Sequence, residues 1–207
     1  MDLVCPAGSL PALKAAIDNG AACVYIGFRD DTNARKFPGL NFDPTAAREG
    51  VLYAHARKRP AGMATELFGY GRLPLAFSAR CFTACYHNLQ KDSCEFRCIE
   101  YPDGLGLNTR EDQPFLVFNG IQTQSAQIQN LIRDLDALTQ AGVDVLRISP
   151  QSAHTLEIAA LFRQCLERSI NADAAARQME NLMPGRACNG YWHGKPGLEQ
   201  VVVPDRG

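Results

Sequence analysis

Short apolar runs alternate with helical stripes at the start of the chain. Leu3-Val4-Cys5 is an apolar run closed by Pro6-Ala7-Gly8, which predicts a strand and a turn. Ser9 suits a helix N-cap, and Pro11 is tolerated in the first helical turn. Leu10, Leu13, Ala16 and Ile17 fall on one helical face, and Asn19-Gly20 ends it. Ala22-Cys23-Val24-Tyr25-Ile26 predicts the next buried strand, ending at Gly27. A strand–helix–strand order of this kind joins parallel strands. Residues 28–45 are polar and turn-rich, a short helix is expected over about 45–58, and Lys58-Arg59-Pro60-Ala61-Gly62 breaks the pattern.

The second part begins with Glu66-Leu67-Phe68-Gly69-Tyr70-Gly71, a strand running into a loop. Residues 78–114 carry little periodicity, and Pro102-Asp103-Gly104 is a turn signal. Phe115-Leu116-Val117-Phe118 predicts a strand. Ile128, Leu131, Ile132, Leu135 and Leu138 form a helical stripe ending at Gly142. Val143–Ile148 predicts another strand and about 153–168 another helix, followed by a Gly- and Pro-rich tail with Tyr191-Trp192 in it. The expected class is α/β, built from strand–helix units on a parallel sheet.

Composition narrows the chemistry only a little. The 207 residues suffice for a real core, and the formal net charge of -1 argues against a strongly basic nucleic-acid binder. The first residues show no basic region followed by an apolar core, and no run of about 18 apolar residues occurs. The expectation is a cytoplasmic chain without a membrane span. In that compartment thiols stay reduced, so the eight cysteines point to metal or redox chemistry rather than disulfides.

Four of the eight are concentrated. Cys81, Cys85, Cys94 and Cys98 lie in eighteen residues as C-x3-C-x8-C-x3-C. Thiolates are soft ligands, and four can close a tetrahedral zinc site or hold a 4Fe-4S cluster. The spacing alone leaves both open, and buried thiols without a ligand role are the plainer alternative. Cys5, Cys23, Cys165 and Cys188 lie on apolar elements or in the tail, where packing is the expected role. The four histidines, His55, His87, His154 and His193, form no H-E-x-x-H pattern, and no Ser/His/Asp set stands in recognisable context.

At Glu66-Leu-Phe-Gly-Tyr-Gly-Arg-Leu-Pro-Leu-Ala-Phe-Ser-Ala-Arg80-Cys81 the sequence resembles the signature of the collagenase-like peptidase U family. The continuation through Phe82-Thr83-Ala84, Lys91-Asp92-Ser93-Cys94 and Cys98 looks like the UbiV branch. So do Asn119-Gly120-Ile121-Gln122-Thr123, Arg147-Ile148-Ser149-Pro150-Gln151 and Cys188-Asn189-Gly190-Tyr191-Trp192. Pro74 stands where other branches have a cysteine. This likeness covers roughly 64–204. Residues 1–56 instead resemble the opening of UbiU, through Cys5-Pro6-Ala7-Gly8, Val24-Tyr25-Ile26-Gly27 and Asp30-Asp31-Thr32-Asn33-Ala34-Arg35. The expected organisation is a UbiU-like head at 1–56, a junction at 57–63 and a UbiV-like cluster-binding region at 64–207, an apparent fusion with its middle missing. A (β/α) barrel needs about 250 residues, so the expected fold is an incomplete barrel-like sheet with a cysteine-rich loop.

The resemblance implies an iron–sulfur protein supporting oxygen-independent hydroxylation in ubiquinone biosynthesis, with a UbiU/UbiV-type partner chain as a heterodimer and a ubiquinone precursor as substrate. It implies a component of a hydroxylase system and argues against peptidase activity. Cys81, Cys94 and Cys98 match three ligands of a 4Fe-4S cluster. The fourth ligand of the UbiV type comes from the N-terminal region, where this chain has about Asp31, a harder ligand. Cys85 is the nearest substitute. Zinc in a structural or interaction module, an RNA-base hydroxylating relative and a non-functional truncated fusion stand as alternatives. Asp31, Asn33, Arg35, Asn119 and Arg147 are candidate substrate contacts at strand ends. For Arg147 and Ser149, and for Asn119 and Gln122, a loop hydrogen-bond network or structural ion pair is the competing role. Tyr191 and Trp192 suit core or interface rather than base stacking.

Overall fold

The computed structural model describes residues 4–7, 9–19, 23–26, 49, 50, 53 and 64–202. The Asp31, Asn33 and Arg35 loop, the 57–63 junction and most of the helix expected at 45–58 lie outside the described residues. The chain divides into two compact units. The first comprises 1–69, 134–147 and 189–207, and the second 70–133 and 148–188.

In the first unit, β1 (Val4–Ala7) leads into α1 (Leu10–Asp18) and then β2 (Cys23–Ile26). The two strands are parallel, in register Val4↔Cys23 to Ala7↔Ile26. Ser9 caps α1, its hydroxyl accepting from the Ala12 N–H at 3.4 Å, while Pro11 occupies the first turn where no donor is needed. Leu13 and Ile17, one turn apart, are the buried residues of the helix. The opening strand–helix–strand unit therefore forms as its punctuation and stripe expect.

The main sheet has six strands and does not close. β3 (Glu66–Phe77), β4 (Leu105–Asn108), β5 (Pro114–Asn119), β6 (Gln122–Asn130) and β7 (Val145–Ile148) lie in the order β4-β5-β6-β3-β7, and β8 (Ala187–Cys188) pairs with β6. It is a mixed sheet, which corrects the expectation of a parallel one. The β4–β5, β5–β6 and β3–β6 ladders are antiparallel, and β6–β8 is parallel. The reason is local. Asn119 pairs with Gln122, so only Gly120 and Ile121 separate β5 from β6. Two residues suffice for a hairpin and fall far short of a parallel crossover. Gly120, at φ +60°, supplies the left-handed conformation such a turn asks for.

The helical stripe expected from Ile128 onward is also revised. Ile128 sits on β6, and regular helix starts only at α3 (Leu135–Gln140), after a 3-10 turn at Ile132–Asp134. All five stripe residues are buried all the same. Two further helices complete the second unit, α4 (Thr155–Leu166) and α5 (Ala172–Met179). Asn171 caps α5 by accepting from the Ala174 N–H at 2.7 Å. The core of this unit holds Tyr70, Ile128, Leu131, Ile132, Ile158, Phe162 and Met179, each at most 2% exposed. Phe162 meets the Tyr70 ring edge-on at 6.1 Å. No helix among the described residues is long and apolar enough to cross a membrane.

Candidate functional site

Two features of the second unit carry chemistry. One is the cysteine segment. It opens with α2 (Phe82–Tyr86), for which Cys81 is the N-cap, its sulfur accepting from the Ala84 N–H at 3.5 Å. The β5–β6 turn anchors this start. Gly120 and Ile121 present their carbonyls to the N–H groups of Phe82 (2.7 Å) and Ser78 (2.8 Å), and Phe82 stacks on Phe118 at 4.4 Å. Two 3-10 turns follow, Lys91–Ser93 and Arg97–Glu100, and the second packs against α2. Cys94 ends the first turn and Cys98 lies in the second. The cysteine-bearing stretch is thus a run of short helical turns rather than a plain loop.

All four thiols are free; Cys85 is exposed, and Cys81, Cys94 and Cys98 are partly so. As arranged, no three His, Cys, Asp or Glu side chains among the described residues form a group that could hold a metal ion. The donor chemistry fits a soft metal centre, whereas the placement of the donors does not. Between Cys94 and Cys98 the backbone of Glu95 and Phe96 is left-handed at both residues, φ +53°, a conformation costing a side-chain-bearing residue roughly 1–2 kcal/mol. Phe96 and Ile99 are 72% and 78% exposed. Beside the segment, His87 caps the end of α2, with its ring 5.7 Å from that of Tyr101. Its Nε2 is buried and makes no hydrogen bond among the described residues.

The second feature is a polar pocket of about 50 Å³. Tyr70 and Arg72 of β3 wall it, with Asp103, Asn119, Ser149 and Gln151 around them. Arg72 donates through Nη1 to the carbonyls of Ser125 (3.1 Å) and Ala126, and through Nη2 to that of Pro184 (3.2 Å). Burial lowers the Arg72 pKa, and nearby Asp103 and Tyr70 oppose that shift. Tyr70 donates its hydroxyl to Gln151 Oε1 at 2.5 Å, and burial pushes its pKa above the ordinary tyrosine value, against the pull of Arg72. Gln151 in turn donates to the carbonyls of Ala153 and Leu182, both at 2.6 Å. Asp103 accepts from the Ser152 N–H at 2.8 Å and from the Ser152 hydroxyl.

Of the substrate contacts expected from sequence, Asn119 and Ser149 line this pocket. Arg147 does not. It pairs with Glu66 in the first unit, both side chains well exposed. Arg72, Tyr70 and Asp103 carry no motif of their own in the sequence. The turn signal at Pro102-Asp103-Gly104 and the arginine inside the Glu66–Cys81 stretch are the local marks that point to them.

Taken together, these features define an α/β protein whose open mixed sheet carries a cysteine-bearing segment and a small polar pocket. The family model of peptidase family U32 matches residues 57–201, and the chain belongs to that family. No solved structure matches the chain.

Proposed function

We propose that this chain is an iron–sulfur component of an oxygen-independent hydroxylation system acting on a ubiquinone precursor, of the UbiU/UbiV type within its family, with a chain of the same type as heterodimeric partner. The carrying observation is the confinement of four free thiols, none fully buried, to eighteen residues. Cys81, Cys94, Cys98 and Cys85 are the proposed ligands of a 4Fe-4S cluster. Because they do not converge as arranged, loading requires the turns to close around the metal. The left-handed Glu95 and Phe96 support that reading, since side-chain-bearing residues seldom adopt that backbone conformation, and the exposed Phe96 and Ile99 are not pinned in the core. Zinc is the competing metal, with a structural role.

The test is iron and acid-labile sulfide content of protein purified without oxygen, comparing the native chain with Cys85→Ala. About four irons per chain, lost in the variant, support the cluster and the role of Cys85. About one zinc and no iron in the native chain replaces the reading with a structural zinc module.

A further inference from the structure

We infer that the Arg72 pocket is a binding site for a small organic carboxylate. A guanidinium has five N–H donors. Three are spent on the carbonyls of Ser125, Ala126 and Pro184. The remaining two, on Nε and Nη2, have no partner among the described residues, and no described carboxylate lies within ion-pair distance. Two neighbouring N–H groups of one guanidinium suit a carboxylate, which accepts two parallel N–H bonds at once.

The rest of the lining agrees. Asn119 and Ser149 line the same pocket, and their side chains make no hydrogen bond among the described residues. They add an amide and a hydroxyl donor to the arginine. The one acidic group among the described lining residues, Asp103, has both oxygens taken by Ser152. Its charge beside Arg72 favours a singly charged guest over a phosphate dianion. The volume of about 50 Å³ admits a carboxylate head, with any larger body projecting from the mouth. None of this depends on the cysteines.

The experiment uses the full chain, labelled with nitrogen-15 at arginine and freed of metal. The Arg72 Nε–H resonance is followed during titration with sodium acetate, sodium chloride or inorganic phosphate at constant ionic strength. A saturable shift with acetate, absent with chloride, is expected. Asn119→Ala and Ser149→Ala remove side chains that bond nothing among the described residues. Each should weaken acetate about fivefold and leave the melting temperature unchanged. Three results overturn the assignment: no saturable shift with acetate, tighter binding of phosphate than of acetate, or an acetate affinity that survives both substitutions together.

Discussion

Removing one oxygen from Tyr70 tests the energetics of the pocket wall. Tyr70 is 1% exposed, and its hydroxyl donates to Gln151 Oε1 at 2.5 Å. Gln151 is held from its other end by the carbonyls of Ala153 and Leu182, so its amide is not free to turn toward another donor. Tyr70→Phe keeps the ring and its edge-on contact with Phe162 and deletes one hydrogen bond. It leaves a part-buried amide oxygen without its donor, a loss of about 1–2 kcal/mol. In a chain of this size that lowers the melting temperature by roughly 3–6 °C. Urea denaturation followed by far-ultraviolet circular dichroism reads the change as a lower midpoint at unchanged slope. Tyr86→Phe, at a side chain 67% exposed, is the control and should stay within about 0.5 kcal/mol. A Tyr70→Phe midpoint indistinguishable from the native chain would refute the reasoning, because the hydroxyl would then be exchanging protein for water at no loss.

Other consequences are sharper still in sign. Cys188 is 1% exposed and burial pushes its thiol up to about 12; alkylation of the metal-free chain at pH 8, read by mass spectrometry, should label exposed Cys85 before Cys188, and the reverse order would contradict the burial. The same shift makes stability fall as pH rises above the unfolded thiol value of about 8.5, because only the unfolded chain gains by ionising there. Gly104 sits at φ +83° with a would-be Cβ 2.5 Å from Val117 Cγ1, so Gly104→Ala should cost about 2–3 kcal/mol in the same denaturation assay. Arg133 donates to Asp173 at 2.6 Å and holds its carboxyl below the usual range. That stability is present above the unfolded value of about 3.9 and is lost as pH falls through the depressed folded value. Asp173→Asn should therefore flatten the decline of the urea midpoint below pH 4.

The parts of the fold legible in the sequence are those with local punctuation. Ser9 with Pro11 at the start, and Asn19 at the end, bracket α1 by capping chemistry that acts within one turn. The strand at Val145–Ile148 and the helix at Thr155–Leu166 are legible from their apolar pattern instead, since His154 precedes that helix without a side-chain cap hydrogen bond. β6 was illegible because its buried Ala126 and Ile128 are two residues apart, while Ile128, Leu131, Ile132 and Leu135 also match a helical period. Only pairing with β3 and β5 decides between them. The second unit's α5 buries Ala175, Ala176 and Met179, and two small alanines with one methionine print only a short apolar stripe. At the candidate site, cysteine spacing was readable as a ligand set, whereas Arg72, Asp103 and Asn119 meet only through tertiary packing. The competing role for Arg147, an ion pair, is the one its contact with Glu66 displays.

The most direct test of the proposed cluster is X-ray absorption at the iron and zinc edges, on the full chain purified without oxygen. The account expects iron in an all-sulfur shell with iron–iron scattering behind it, and loss of that signal when Cys94 or Cys98 becomes alanine. A zinc edge with sulfur neighbours at about 2.3 Å and no iron would contradict it, leaving the cysteine segment as a structural metal clip.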